Sequence, residues 1–474
     1  MGDGCLRMLI DNVVHRLAAK RRNTWLETVS KALSPELGSG VYPLRLSLVE
    51  AMPSSIVLES TVIRYETTDR HADALSTIEF LEPRRKRFQA EPLCAVQVIP
   101  TGIGCELGGF AGDACPITNL LASTVDLLIT HPNAVNASEL NEMADNVLYV
   151  EGKSLDDFLL GHVGLLPSRS NRVGTFVDPT GIAYLDDVVN SLNAGIATCG
   201  IDCGLYTILG QELGGEIRWS QSGCAVGTIR RPQALIDAVE LLLADGAQAV
   251  GGVSVIHGVT VDMFERHHRA ENPNPSGGVE AVITHLVSKL FRVPVAHAPL
   301  PYYEDVKPKT TANPRVAAEF LSTPHYISVL KGLARAPRVV PISDLEGPPL
   351  HLLTANNIGA IVLPASCLGG MPALVGEFSG IPVIAVKENL TILDLTNEVL
   401  GMPNVLEVGS YLEAAGVLVA LREGISLDSL RRPLTGARRL QRPQETPAVL
   451  EPTAGDRRAE SASQLSALRG KVTN

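Results

Sequence analysis

The sequence predicts an α/β fold: two Rossmann-like lobes on mostly parallel sheets, a cleft between them, and a small N-terminal α+β extension. Three observations carry this. From residue 93 onward, short apolar β-rich runs alternate with helical stretches, the signature of βαβ units. A glycine-rich run follows the first of these strands and precedes a helix. Between 360 and 421 a strand–loop–helix unit recurs.

In chain order, residues 5–34 read as helical, because Leu6, Leu9, Val13, Leu17, Trp25, Val29 and Leu33 recur at three- and four-residue intervals. Residues 57–65 (VLESTVIRY) read as a strand, and Arg84–Arg87 as a solvated basic connection. Strands are expected at 94–99, 126–130, 146–150, 247–256 and 295–298, with helices at 116–123, 181–196, 232–244, 278–290 and 312–334. The last lobe gives strands at 360–363, 382–386 and 404–408, with helices at 372–378, 391–400 and 411–421. This divides the chain into an extension (1–92), a lobe with the glycine-rich loop (93–300), a second lobe (301–429) and a tail (430–474). The tail is rich in arginine, proline and small polar residues, so it is expected to be disordered.

Forty basic and 51 acidic residues give a net charge of -11, which argues against a large nucleic-acid surface. Eight dispersed cysteines form no disulfide framework and no zinc spacing, so no metal site is expected. The N-terminus has its basic residues after its apolar ones, the reverse of an export signal, and no stretch reads as a membrane span. The expectation is a cytoplasmic protein with a small-molecule substrate, partnered by neither nucleic acid nor membrane; a homo-oligomer is left open.

Four segments could carry chemistry. Pro100–Pro116 places Thr101, Gly102, Gly104, Gly108, Gly109 and Asp113 between a strand and a helix, where backbone amides can converge on an anion. Its glycine spacing approximates a dinucleotide fingerprint, but the loop is long and the next strand ends in His131-Pro132 rather than an acid. No cofactor is therefore assigned. Thr130–Asn136 offers His131 as acid or base, with Asn133 and Asn136 to orient a carboxylate. Asn274–Glu280 opens a helix with Ser276 as N-cap, the Gly277 and Gly278 amides as oxyanion donors, and Glu280 and His285 further along. His257 and His297 each end a strand nearby. Pro364–Gly370 places Cys367, Gly369 and Gly370 between a buried strand and a helix, where a thiol can be acidified. Glu388 and Asn389 end the next strand.

Residues 360–386, with the order apolar strand, Cys367, loop, helix and GIPVI strand, resemble one half of the aspartate/glutamate racemase superfamily. That resemblance implies two cysteines acting on opposite faces of a substrate carbon. Here the matching strand end at 126–131 presents His131, with Cys105 and Cys115 nearby. Over 93–425 the stretches PTGIGCELGGFAGDA, LLITHPNAVNASEL, VLYVEG, NPSGGVEAVITHL, VPVAHAP, VLKGLARAP and LPASCLGGMPAL resemble a bacterial family, common in cyanobacteria, known as a domain of unknown function.

The functional expectation is an enzyme acting on a small carboxylate by proton transfer, as isomerase, racemase or lyase. Glycine-loop amides would hold the anion, and Cys367, His131, Glu280 and His285 would move protons. Rival readings are a nucleotide- or phosphate-binding transferase or ligase, a hydrolase using Ser276, and a non-catalytic metabolite-binding protein.

Overall fold

The computed structural model describes residues 9–19, 31–33, 35, 37, 41–52, 54–64, 92–110, 113–136, 143–219, 222–269, 271–300, 313–320, 326–344 and 351–438. Arg84–Arg87 and the tail from 439 lie outside them. Residues 1–415 form one compact unit and 416–474 another. The latter is helical to Arg422 and again over Leu427–Leu430.

The extension is mainly a three-stranded antiparallel sheet of β1 (Leu9–Ala18), β2 (Val41–Met52) and β3 (Ser55–Arg64), with β3 central. The helix expected at 5–34 is a strand over 9–18 and helical only at 31–33 among its described residues. Ten-residue pairing with β3 overrides the three-to-four spacing of its leucines and valines. Ile56, Leu58, Leu33 and Leu37 form a separate small core there.

The first large sheet takes its strands from two distant stretches of chain. β4 (Cys94–Gln97), β5 (Leu127–Thr130) and β6 (Val147–Tyr149) step outward to one edge. The chain returns at β15 (Ile358–Pro364), beside β4, then steps the other way through β16 (Val383–Val386) and β17 (Val405–Val408). All pairings are parallel, and the order is β17-β16-β15-β4-β5-β6. Numbered along the chain this is 3-2-1-4-5-6 read from the β6 edge, the doubly wound order of dinucleotide-binding sheets.

Between β6 and β15 lies the second lobe. Its long central strand β12 (Ala249–His257) pairs in parallel with β8 (Val173–Val177), β13 (Val295–Leu300) and, at its end, β10 (Gly215–Trp219). β9 (Leu205–Ile208) extends the β8 side, and β11 (Ala225–Thr228) adds an antiparallel edge to β10. Phe176, Leu235, Val239, Val250, Val279 and Ile283 are among the side chains that bury its core. A two-stranded antiparallel ribbon, β7 (Val163–Leu166) with β14 (Arg338–Pro341), forms where the chain leaves the first sheet and where it comes back. Strand membership therefore divides the chain differently from the expected 93–300 and 301–429: the second lobe is inserted within the first. Reading along the sequence could not reveal that β4 and β15 are neighbours.

Candidate active site

In an open α/β sheet, ligands bind beyond the carboxyl ends of the strands where the order reverses. Here that point falls between β4 and β15. The loops leaving those ends are Val98–Ala114 and Ala365–Gly370, two of the four segments singled out from sequence.

The glycine-rich loop is pinned from several sides. Gly102 accepts the Ala225 amide hydrogen at 2.9 Å, and Ile103 accepts that of Ile392 at 3.0 Å. The Asn389 carboxamide brackets Leu107: its Oδ1 accepts the Leu107 N–H and its Nδ2 donates to the Leu107 carbonyl, both at 2.9 Å. The same Nδ2 donates to the Tyr411 hydroxyl at 2.7 Å. Arg315 donates to Asp113 at 3.3 Å and to Glu106 at 3.1 Å, and its guanidinium stacks 4.2 Å above the Phe110 ring centre. Burial pushes the Asp113 carboxyl above its ordinary range, against the pull of Arg315.

These contacts change the role of the glycines. A methyl group on Gly102 would come within 2.6 Å of the Ala225 carbonyl oxygen, and one on Gly278 within 2.5 Å of the Val226 Cα. One on Gly277 would lie 2.6 Å from the Thr101 methyl. The chain segments at 101–102, 225–226 and 277–278 thus meet at backbone distance. Close packing is the first reason for glycine there, ahead of the anion cradle expected from sequence. Gly108 and Gly109 likewise face Ile99 and the Cys105 carbonyl, Gly369 faces Leu395, and Gly370 caps the helix Met371–Ser379.

His131 does not fit the acid–base role expected of it. Its Nε2 accepts the Ile99 amide hydrogen at 2.9 Å, and the ring is buried. Burial drives its pKa down to about 4. Neighbouring Asn133 donates to the Ile99 carbonyl at 3.0 Å and to that of Gly108 at 3.4 Å, so it supports the loop. Asn136 accepts from the Tyr149 hydroxyl at 2.9 Å. Cys367 is buried, its thiol donating to the Pro364 carbonyl at 3.4 Å, and burial pushes its pKa up to about 12. Cys105 is shifted upward by the same cause and lies close enough to feel Cys367. A thiol this far from ionising is a poor base or nucleophile at neutral pH. The chemistry implied by the racemase likeness of 360–386 finds no support in this environment. Glu388 is exposed and accepts the Tyr411 amide hydrogen at 2.8 Å.

The helix Gly277–Phe291 joins the lobes. Ser276 occupies its N-cap position but makes no capping hydrogen bond with its side chain, contrary to expectation. One turn in, Glu280 Oε2 lies 3.4 Å from Nδ1 of His297 on β13. The Nε2 of that ring lies 2.8 Å from the hydroxyl of Ser254 on β12. With hydrogen on Nδ1, His297 donates to Glu280 and accepts from Ser254, which gives a carboxylate–imidazole–hydroxyl chain. Its burial is graded: the Ser254 residue and the His297 side chain are 0% exposed, while the Glu280 side chain is 20% exposed. Glu280 is also close enough to Tyr149, at the end of β6, to raise that phenol's pKa. The carboxylate therefore sits near the carboxyl edge of the first sheet, one turn from the contact between Gly277 and Thr101.

On the first-lobe side of the same helix, the buried carboxylate of Glu151 accepts the Lys153 and Ser154 amide hydrogens at 2.8 and 3.0 Å. It also accepts from the Thr284 hydroxyl at 3.1 Å and bonds His285 Nδ1. Burial alone would raise the Glu151 pKa; His285 and the Ser154 amide outweigh it and hold the group below the usual carboxylate range. Glu151 in turn raises His285, against the effect of burial. His285 thus belongs to an interlobe pair distinct from the Glu280 chain.

The structure brings Thr101, Gly102, Gly277, Gly278 and Glu280 together at the lobe junction. It places Gly104 beside Pro273 and Ile392, Asn389 against Leu107 of the loop, and Cys367 near Cys105. Sequence reasoning did not assign roles to Ser254, Glu151 or Arg315. His297 was visible as a histidine ending a strand, but Ser254 lies inside a fully apolar-looking strand and gives no signal. Among the described residues, no group of three or more His, Cys, Asp or Glu side chains could hold a metal ion. No helix among them is long and apolar enough to cross a membrane.

The protein is thus of the doubly wound α/β class, with an inserted second lobe whose helix Gly277–Phe291 meets the glycine loop at the switch point. Residues 94–431 match the family described as protein of unknown function (DUF3326), and the chain belongs to that family. It is similar to an uncharacterized lipoprotein of Synechococcus sp., 36% identical over 342 residues, which covers 70% of this chain and 92% of that protein. The expectation of a cytoplasmic location is corrected by this relative, whose description as a lipoprotein is at odds with it.

Proposed function

We propose that the protein is an enzyme of proton transfer on a small carboxylate-bearing metabolite, as an isomerase or lyase, at the junction of its lobes. The observation that carries this reading is the chain Glu280–His297–Ser254, beside the carboxyl edge of the first sheet. Glu280 is the acid or base that meets substrate. His297 fixes its orientation through the bond at Nδ1, and Ser254 fixes the tautomer of His297.

Serine hydrolysis is the rival suggested by the same three groups. Burial favours proton transfer. In an acyl-transfer triad the hydroxyl must face the substrate; here Ser254 is sealed and the carboxylate is the end that reaches solvent. Ser276, expected as a nucleophile, makes no side-chain hydrogen bond at its helix N-terminus and shows none to an imidazole among the described residues.

The test is a thermal-shift survey of small carboxylates, followed by NMR of each hit incubated with the protein in D2O. The reading expects deuterium to enter a carbon position of a bound carboxylate, and Glu280→Gln to abolish that exchange while the thermal shift persists. Binding without exchange in the wild type, or labelling of Ser254 by a fluorophosphonate, would overturn it.

A further inference from the structure

The helix Gly277–Phe291 is tied to the two lobes in different ways. Val279, Ile283 and Val287, spaced four apart, lie in the core of the second lobe. Beyond the close contact of Gly277 with Thr101, its contacts with the first lobe run through residues 284–289 and are polar. The Thr284 hydroxyl donates to Glu151 at 3.1 Å, and His285 Nδ1 bonds the same carboxylate oxygen. One turn on, the Ser288 hydroxyl lies 2.6 Å from that of Ser154, and Lys289 donates to Asp157 at 3.2 Å. Apolar packing holds the helix to the second lobe at any pH. Its seat on the first lobe is made of hydrogen bonds and charge.

Glu151 is placed without help from His285. Its side chain is 2% exposed, and the Lys153 and Ser154 amides hold it at the start of the helix Gly152–Leu159. A carboxylate so buried needs a counter-charge. The lysines nearby do not bond it, since Lys153 and Lys289 both pair with Asp157. Among the described residues, His285 is the cationic side chain that does. Its Nδ1 is committed to that bond, so the proton that comes and goes is on Nε2. The side chain is 46% exposed, so that proton exchanges with solvent.

The groups around the ring set its charge. Burial works against the charged form, as does Lys153. The bond to Glu151, with the charges of Glu151 and Asp156, outweighs both and holds His285 above its ordinary pKa. His131, which also faces the ring, stays neutral near pH 7, because burial drives its pKa down to about 4.

Glu280 stands five residues before His285 on the same helix, bonded to the second lobe through His297. We infer that His285 is a positioning residue for Glu280: its charged ring, bonded to Glu151, seats the helix on the first lobe and so holds Glu280 at the junction, and loss of the Nε2 proton loosens the seat. This rests on the reading of Glu280 as the acid or base that meets substrate. The ion pair is complete below the unfolded pKa of about 6.5 and weakens as pH rises through the higher folded value. Above it, Glu151 keeps a hydrogen bond from Nδ1 and loses its counter-charge.

The test uses the full chain and His285→Asn, which puts an amide donor near the position of Nδ1 and does not titrate. Hydrogen exchange of the amides of 281–288, corrected for the intrinsic rate at each pH, is read at about pH 5.5 and about pH 9. In the wild type these amides should open roughly three- to tenfold more often at the higher pH, the effect of losing a partly exposed ion pair. His285→Asn should lack that step. The second readout is turnover of the carboxylate that takes up deuterium. The ratio of wild-type to variant kcat should fall toward one as pH rises over the same interval, with KM little changed. No pH step in the exchange of the helix, or the same step in both proteins, would overturn the inference and leave the role of Glu280 standing. A step in exchange with a constant kcat ratio would overturn it too, because the helix would then loosen without moving Glu280. If no carboxylate takes up deuterium in the wild type, the reading of Glu280 fails and the inference falls with it.

Discussion

The imidazole of His131 accepts the amide hydrogen of Ile99 at 2.9 Å, which ties the end of β5 to the start of the glycine-rich loop. The lone pair that would accept a substrate proton is already committed. Burial keeps the ring neutral, and a neutral ring is what the bond to Ile99 requires.

This has a pH signature. The folded-state pKa of His131 is pushed down to about 4, below the unfolded value of about 6.5. Between those limits the unfolded chain binds the extra proton, so stability falls as pH drops from about 6.5 toward 4. The shift corresponds to roughly 3 kcal/mol over that window. Urea denaturation at stepped pH should show the loss in the wild type. His131→Gln, which keeps an acceptor and removes the titration, should show a flatter dependence over the same range. Parallel curves for the two proteins would refute the assignment.

How much of this was legible beforehand depends on whether the controlling contact is local. The strands β4, β5, β6, β15 and β16 announce themselves as short apolar runs between turn residues, and the helix Pro232–Ala244 falls where its spacing predicts. The helix expected over 391–400 survives only at Asn397–Leu400, because the preceding backbone is spent on other partners: Ile392 donates to Ile103, and Leu395 to Ser366. At the site, Glu280 was singled out from its place on a helix, and its contact with His297 was not foreseen. The roles of Cys367 and His131 were misread because residue type and a strand-end position say nothing of burial, and burial decides whether a thiol or an imidazole can ionise.

Asn389 was expected to line the site and instead holds the loop. Its carboxamide donates to the Leu107 carbonyl and Tyr411 hydroxyl and accepts the Leu107 N–H. Asn389→Asp keeps the shape but supplies only acceptors when ionised, so the contact with the Leu107 carbonyl becomes repulsive in a buried place, while the Tyr411 hydroxyl must turn to donate. The expected cost is about 2–4 kcal/mol near neutral pH, from the uncompensated burial of charge. Relative to wild type at each pH, the deficit should shrink as acid protonates the new carboxyl and restores one donor. Chemical denaturation at two pH values checks both the size and the trend.

Arg315 holds the opposite side of the loop through Asp113, Glu106 and the face of Phe110. A planar, forked cation meets all three; an ammonium cannot. Arg315→Ala should destabilise by about 1–3 kcal/mol, the range for losing charge-assisted hydrogen bonds and a cation–π contact together. Arg315→Lys should recover less than half of that. Hydrogen exchange should place the loosening in the amides of 104–110, and an unchanged exchange pattern there would show that Arg315 does not clamp the loop.

Cys367 and Cys199 make opposite predictions for thiol chemistry. Cys367 is 5% exposed, its thiol is bonded to the Pro364 carbonyl, and its pKa is pushed up to about 12. Cys199 ends the helix Leu185–Cys199 and is exposed. Alkylation requires both access and thiolate, and at pH 8 a thiol with a pKa of about 12 is ionised roughly once in ten thousand molecules. Brief iodoacetamide treatment of the native protein at pH 8 should therefore modify Cys199 and spare Cys367, with Cys105 spared for the same reason. After unfolding in urea all three should label. Peptide mass spectrometry reads the two states, and rapid native labelling of Cys367 would restore it as a candidate nucleophile and count against the role proposed for Glu280.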